Sequence, residues 1–263
     1  MTGATAIIQA RMGSTRLPGK VLMPIAGHPM LWHVVKRAQS PPGVDRVVVA
    51  TARSEADDVI RALCADSGFQ VYSGSEHDVL DRYYQAAKER EADPVVRITS
   101  DCPLLDPTIV QRLLELFDRG GLDYAGVSIG RGAQQRGLRG YPHGLDAECF
   151  SFAALERAWR EAVSPYDREH VTPYISRHDN LYRIGILVPD QDWTHLRLTV
   201  DEPEDLALAA EVYGELYQEG EPPFTFEQIV ALLEARPELA EMNRLFIGKE
   251  RYRAISKDEE EAN

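Results

Sequence analysis

Arg11, Arg16 and Lys20 stand within Gln9-Ala10-Arg11-Met12-Gly13-Ser14-Thr15-Arg16-Leu17-Pro18-Gly19-Lys20, together with Gly13 and Gly19. This make-up suits an oligophosphate. Glycine lets backbone N–H groups approach phosphate oxygens, and Arg and Lys add charge and hydrogen bonds. The chain carries 29 Lys plus Arg against 42 Asp plus Glu, a formal net charge of −13. A nucleic-acid backbone is repelled by that balance, so an anionic ligand must be held by a few placed cations. The loop is the natural seat for a triphosphate. Two familiar phosphate loops fail on spacing. Five residues separate Gly13 from Gly19 and Val21 follows Lys20, whereas a Walker A loop has one residue fewer there and Ser or Thr after its lysine. The Gly-x-Gly-x-x-Gly dinucleotide pattern is absent. The competing reading is a surface loop with solvated charges.

Two acids offer the complementary chemistry. Asp101 follows the run Val95-Val96-Arg97-Ile98, and Asp201 follows residues 195–199. Two carboxylates facing a triphosphate suit Mg²⁺, which takes oxygen ligands and bridges protein carboxylates to phosphates. Taken singly, each acid reads as structural. Asp201 stands shortly before Pro203 and would serve as a helix N-cap, and Asp106 before Pro107 is better explained that way. Their coincidence with the basic loop is what raises the metal reading.

Strands that end on one rim must position these groups. Residues 6–10 read as a buried strand, and 29–39 as a helix with Pro29 at a tolerated first position. Val47-Val48-Val49-Ala50, within 44–51, is the continuous run of a parallel strand buried on both faces. Ser54 with Asp57 forms a capping box for a helix ending near Gly68. A strand at 69–72, a helix at 79–90, a strand at 95–98 and a helix from Asp106-Pro107 to Gly120-Gly121 follow. This β-α alternation predicts an α/β fold: an open, mostly parallel twisted sheet with helices on both faces. Asp101 and Asp201 share a rim with the basic loop if both their strands run parallel to the first.

The second half is less regular. Residues 127–143 read as a long glycine-rich loop, 151–162 and 167–176 as helices, and 182–188 and 195–199 as strands. A long helix spans 203–219, Thr225 with Gln228 caps another, and 257–263 read as a frayed acidic tail. An apolar share of 44% with 27% charged residues excludes a disordered or collagenous chain. Cys64, Cys102 and Cys149 stand far apart, which argues against a zinc centre or a disulfide framework and for a reducing compartment. With no signal-peptide pattern and no apolar stretch of membrane length, a cytoplasmic protein without membrane or nucleic-acid partners is expected.

The residues from Arg11 to Lys20 resemble the N-terminal signature of the sugar-acid cytidylyltransferases, among them the 3-deoxy-manno-octulosonate and acylneuraminate enzymes. The wider match is to the spore-coat-polysaccharide SpsF-like branch. It is carried by Gly74-Ser75-Glu76-His77-Asp78-Val79-Leu80-Asp81-Arg82-Tyr83, Ser100-Asp101-Cys102-Pro103-Leu104 and Arg168-Glu169-His170-Val171-Thr172-Pro173-Tyr174. Leu198-Thr199-Val200-Asp201-Glu202-Pro203-Glu204-Asp205 looks like the family's C-terminal metal motif. The resemblance implies a nucleotide-diphospho-sugar-transferase-like fold and transfer of CMP from CTP to a small acidic acceptor, with release of pyrophosphate. It implies that Arg11 and Lys20 hold phosphates and that Asp101 and Asp201 bind Mg²⁺. It sets Ala10, Met12, Gly13, Thr99 and the segment Ser73, Gly74, Ser75 around the nucleotide. Where the octulosonate enzymes carry Gln-Gly-Asp-Glu-Pro, this chain has Thr99-Ser100-Asp101-Cys102-Pro103.

An acidic acceptor needs a cationic clamp, for which Arg139, His143, Arg168 and His170 are the candidates. By the resemblance, residues 1–250 form one nucleotidyltransferase domain, with an irregular acceptor and dimerisation subregion at 131–195, a homodimeric assembly and a flexible 251–263. The alternatives are a cytidylyltransferase for a phosphonate or other small acid, a nucleotide-sugar-using glycosyltransferase of related fold, and a non-catalytic nucleotide-binding regulator. Pro103 spoils the Asp-x-Asp motif usual in such glycosyltransferases. Replacement of Lys20, read here as an exposed loop charge, is expected to spare the fold.

Overall fold

The computed structural model describes residues 3–249. The expected tail at 251–263 lies outside them. Nine strands occur among the described residues: β1 (Ala4–Gln9), β2 (Pro24–Ile25), β3 (His28–Pro29), β4 (Val44–Ala52), β5 (Gln70–Gly74), β6 (Val95–Thr99), β7 (Tyr124–Val127), β8 (Ala147–Phe150) and β9 (Ile184–Leu187). Seven form one sheet in the order β5-β4-β1-β6-β8-β7-β9, and β2 pairs with β3 apart from it. Strand β1 pairs in parallel with β4 and β6, and β4 with β5. Strand β8 runs antiparallel to both β6 and β7, and β9 is parallel to β7. Six strands therefore deliver their carboxyl ends to one rim, where open α/β sheets bind ligands.

The helices are α1 (Met30–Ala38), α2 (Asp58–Ser67), α3 (Val79–Glu89), α4 (Pro107–Gly120), α5 (Gly130–Gln135), α6 (Phe152–Glu161), α7 (Pro165–His170), α8 (Pro173–Ser176), α9 (Pro203–Leu216), α10 (Phe226–Ala235) and α11 (Pro237–Glu241). They cover both faces because the buried strands are apolar on both. Ala6 and Ile8 of β1 pack in one cluster with Val34 of α1, Leu113 of α4 and Val212 of α9, whereas Ile7 packs in the other with Tyr83 of α3 and Phe150 of β8. Each such aliphatic side chain contributes about 1.5–3 kcal/mol by leaving water. Asp106 caps α4 through the Thr108 N–H at 2.6 Å, and Thr225 and Gln228 form the expected capping box of α10.

Four expectations are corrected. Asp57 makes no capping box: its oxygens accept from the Met12 N–H (2.8 Å), Thr51 Oγ1 (3.0 Å) and the Ala52 N–H (3.0 Å). The stretch 127–143 is not one loop, since it begins on β7 and contains α5. The helix expected at 167–176 is two pieces, because Pro173 has no N–H with which to continue α7. Residues 195–199 form no named strand; Arg197 makes an isolated parallel bridge with His143.

Helix α1 carries a buried titrating group. His33 Nε2 lies 2.7 Å from the Ile25 carbonyl oxygen. Burial pushes its pKa from 6.5 to about 4, against the opposing effect of that hydrogen bond. The unfolded chain therefore binds a proton more readily below pH 6.5 than the folded one does. This contribution to stability is complete above pH 6.5 and is lost as pH falls toward 4. His33→Gln is expected to flatten the Tm-versus-pH curve across that interval; an unchanged slope would show that His33 does not set it.

Candidate active site

Gly19 adopts φ 70°, in the left-handed region that favours glycine, and turns the basic loop into a short 3₁₀ turn, Lys20–Leu22. The Met12 N–H bond to Asp57 ties the start of the loop to the end of β4. Lys20 is thereby carried inward and is only 9% exposed. Its Nζ donates to the Val200 carbonyl oxygen at 2.7 Å, to Asp201 Oδ1 at 2.8 Å and to Asp101 Oδ2 at 3.2 Å. The loop and both acids thus converge on one point. Asp101 reaches it from the end of parallel β6. Asp201 reaches it through the Val200 N–H, which donates to the Asp101 carbonyl oxygen at 2.8 Å.

Asp201 is not a helix N-cap. Glu202 holds that position in α9, and Asp205 closes its capping box. Asp205 Oδ2 accepts from the N–H groups of Asp201 and Glu202, both at 2.9 Å. Both Asp205 oxygens also accept from Arg197 at 2.9 Å, and Asn243 Nδ2 donates to Oδ1. Arg197 lies 3.3 Å from Asp201 Oδ2. Gly144, at φ 111°, lets the chain lie against this segment; a Cβ there would stand 2.2 Å from the Thr199 nitrogen.

Burial alone would push the Asp101 carboxyl up. The Lys20 ammonium overrides it, with help from Thr99 and His143, and holds the carboxyl well below its usual range. Burial likewise opposes the Lys20 charge, but Asp101 and Asp201 raise its pKa. Two carboxylates gathered around one small cation are the donor set Mg²⁺ takes beside phosphates. These residues fit that ion, with Lys20 Nζ standing where a cation is favoured.

Of the remaining nucleotide candidates, Ser73, Gly74 and Ser75 stand at the end of β5, with β4 and β1 between them and β6. Ala10 is buried at the end of β1, Arg11 is exposed, and Gly13 has open space around it. Ser73 and Gly74 end β5, and their carbonyl oxygens accept from Arg53 at 2.9 Å. Ser75 Oγ accepts from the Asp78 N–H at 3.1 Å. Thr99 Oγ1 lies 3.2 Å from Cys102 Sγ.

A cleft of about 590 Å³ opens beside Asp101 and Asp201 and runs along β6, β8, β7 and β9. His143 and His170 line it, as do Arg16, Arg97, Arg136 and Arg177. Arg139 and Arg168 do not. Arg139 is bound to the Asp190 carbonyl oxygen. Arg168 is a strut between Asp78 and the Trp159 carbonyl oxygen, fixing α7 against α3. The cleft floor is Glu148, which accepts from Arg97 (2.5 Å), Tyr124 Oη (2.5 Å) and Thr172 Oγ1 (2.7 Å). On its wall, His143 Nε2 lies 3.3 Å from Asp146 Oδ2. Burial raises the Asp146 carboxyl, and nearby Asp101 adds to that while His143 opposes it.

A family profile described as cytidylyltransferase matches residues 5–251. The chain belongs to the cytidylyltransferase family. It is a CTP-dependent nucleotidyltransferase. This cytidylyltransferase is 34% identical over 241 residues to the spore coat polysaccharide biosynthesis protein SpsF of Bacillus subtilis (strain 168), covering 89% of this chain and 95% of that protein. It is 39% identical over 196 residues to the 3-deoxy-manno-octulosonate cytidylyltransferase of Anaeromyxobacter dehalogenans (strain 2CP-C), covering 72% and 79%. A solved cytidylyltransferase from Leptospira borgpetersenii superposes with a TM-score of 0.82 at 28% identity, covering 91% of this chain and 97% of that one. The expected α/β fold is the one found. Among the described residues no helix is long and apolar enough to cross a membrane.

Sequence reasoning overlooked several groups that shape the cytidylyltransferase cleft. Arg97 had a visible signal, a charge in the middle of the apolar run of β6. Glu148, Asp146 and Tyr124 had none, and Thr172 had only its place in a family-like stretch; the pairing of β8 with β6 and with β7 is what brings Glu148 to Arg97 and Tyr124.

Proposed function

We propose that this cytidylyltransferase transfers CMP from CTP to an acidic sugar or related small acid and releases pyrophosphate, with Mg²⁺ held by Asp101 and Asp201. The observation that carries the reading is the convergence of Lys20, Asp101 and Asp201 at the mouth of a cleft whose lining carries Arg136, His143 and His170. The octulosonate enzyme among its relatives, whose name states a sugar-acid acceptor, supports that acceptor class. An acceptor oxygen attacks the α-phosphorus in line; the new P–O bond forms as the bond to the pyrophosphate oxygen breaks. Lys20, Arg16 and Arg11 offset the charge on the leaving pyrophosphate. Mg²⁺, when bound, neutralises phosphate charge and lowers the pKa of the acceptor hydroxyl. His170 and Arg136 orient the acidic acceptor, and the proton of its attacking hydroxyl passes to the His143–Asp146 pair as the new P–O bond forms.

A thermal-shift panel of CTP, UTP, GTP and ATP with Mg²⁺ is the first check. CTP at a hundredfold excess over Kd is expected to stabilise the fold by about 2.7 kcal/mol. Pyrophosphate release is then followed with a panel of sugar acids, and Asp101→Asn is expected to abolish metal-dependent turnover. Unchanged metal dependence would remove Asp101 from the site. CTP binding without turnover on any acceptor would favour a nucleotide-binding regulator.

A further inference from the structure

The cation that stands between Asp101 and Asp201 belongs to the chain itself. Lys20 Nζ contacts both carboxylates, at 3.2 and 2.8 Å. Arg16 adds a second cation on Asp201 Oδ1, at 3.0 Å, and reaches Glu202 Oε1 at 3.1 Å. The other Asp201 oxygen faces Arg197. Both carboxylates that would ligate a divalent ion are therefore already neutralised by tethered charges. A free divalent ion would have to displace the Lys20 ammonium and then remain beside it, while giving up part of its own hydration; both effects oppose binding.

A triphosphate reverses the balance. Its oxygens give Lys20 and Arg16 stronger partners and so release the carboxylates. The three cations differ in freedom. The Arg16 side chain is 36% exposed and the Lys20 side chain 11%, whereas that of Arg197 is 1% exposed and fixed by Asp205. Arg197 stays on Asp201 while the other two exchange. We propose that Lys20 and Arg16 keep the metal site closed until nucleotide arrives, so that the divalent ion enters with CTP or after it. The two ligands are then linked, each strengthening the other. This inference rests on the assignment of Asp101 and Asp201 as metal ligands made under Proposed function.

Mn²⁺ binding to the full chain, read without acceptor from loss of the free-ion electron paramagnetic resonance signal beyond the loss the same CTP causes without protein, tests the proposal independently of turnover. Wild-type protein is expected to bind Mn²⁺ at least about tenfold tighter with CTP than without it. Lys20→Met keeps the aliphatic stem and removes the charge. It is expected to bind Mn²⁺ without nucleotide at least about tenfold tighter than wild type does, and adding Asp101→Asn is expected to erase that gain. Arg16→Met, on a more exposed side chain, is expected to give a smaller gain of the same sign, and it carries the test if circular dichroism shows Lys20→Met to be misfolded. Equal nucleotide-free Mn²⁺ affinity in wild type and the folded variants overturns the closure. Tight CTP-dependent Mn²⁺ binding alongside that result leaves the cytidylyl-transfer reading standing. Absence of CTP-dependent Mn²⁺ binding in wild type removes both.

Discussion

Lys20→Ala is expected to lower kcat/KM for CTP about 10²–10³-fold, the usual consequence of removing one preorganised charge from a site of charge transfer. Stability is expected to fall as well, against the reading of Lys20 as an exposed loop charge. The residue is 9% exposed and holds two carboxylates and a carbonyl oxygen. Stripping a buried ion pair of one partner costs about 3–5 kcal/mol. Here the Asp101 side chain is 30% exposed and Arg16 and Arg197 still face Asp201, so water and the remaining cations absorb part of that. A loss of about 1–3 kcal/mol in urea unfolding is the expected result. Steady-state kinetics on the folded variant separate the two effects. Turnover within a few-fold of wild type would take Lys20 out of the phosphate site.

The largest loss of stability is expected from Asp205→Ala. Asp205 is fully buried and serves five donors: two on Arg197, the N–H groups of Asp201 and Glu202, and Asn243 Nδ2. Removing it leaves the Arg197 guanidinium buried without its main counter-ion, which costs about 3–5 kcal/mol. The start of α9 also loses its capping box, about another 1 kcal/mol. Turnover is expected to fall with stability, because the two N–H bonds to Asp205 are what orient Asp201. Asp205→Asn retains an acceptor oxygen and should recover part of the stability. A denaturant midpoint unchanged in Asp205→Ala would show that Asp201 is held by other means.

Much of the donor side is local in the chain and therefore legible. The runs at Ala6–Ile8, Val47–Ala50 and Val95–Ile98 announce buried parallel strands, and Asp106-Pro107 and Thr225 with Gln228 announce helix starts. The convergence of Lys20 with Asp101 and Asp201 was reached without the geometry expected for it. Only Asp101 follows a parallel strand; Asp201 is set by a backbone bond to Asp101 and by Asp205. Where reading failed, a distant demand outweighed a local pattern. Ser54 and Asp57 have capping-box spacing, yet Asp57 is drawn to Met12, 45 residues away. Strand β8 is short and carries Glu148, whose charge is sensible only opposite Arg97, 51 residues away. Arg168 looked like a ligand because it is cationic and lies in a family-like stretch, but its partner Asp78 is 90 residues away. No window along the chain contains such pairs.

The reversal of β8 divides responsibility within the molecule. On one side of it stand β6, β1, β4 and β5, with the loops after β1 and β6 carrying Lys20 and Asp101, the residues proposed to hold nucleotide and metal. On the other, β7 and β9 supply Gly126, Val127, Ile184 and Ile186 to the cleft wall. The two halves meet along a single seam, β6 against β8. Under the proposed function, residues beyond that seam face the acceptor while the loops after β1 and β6 face the nucleotide, and the Arg97–Glu148 pair ties the two sides together.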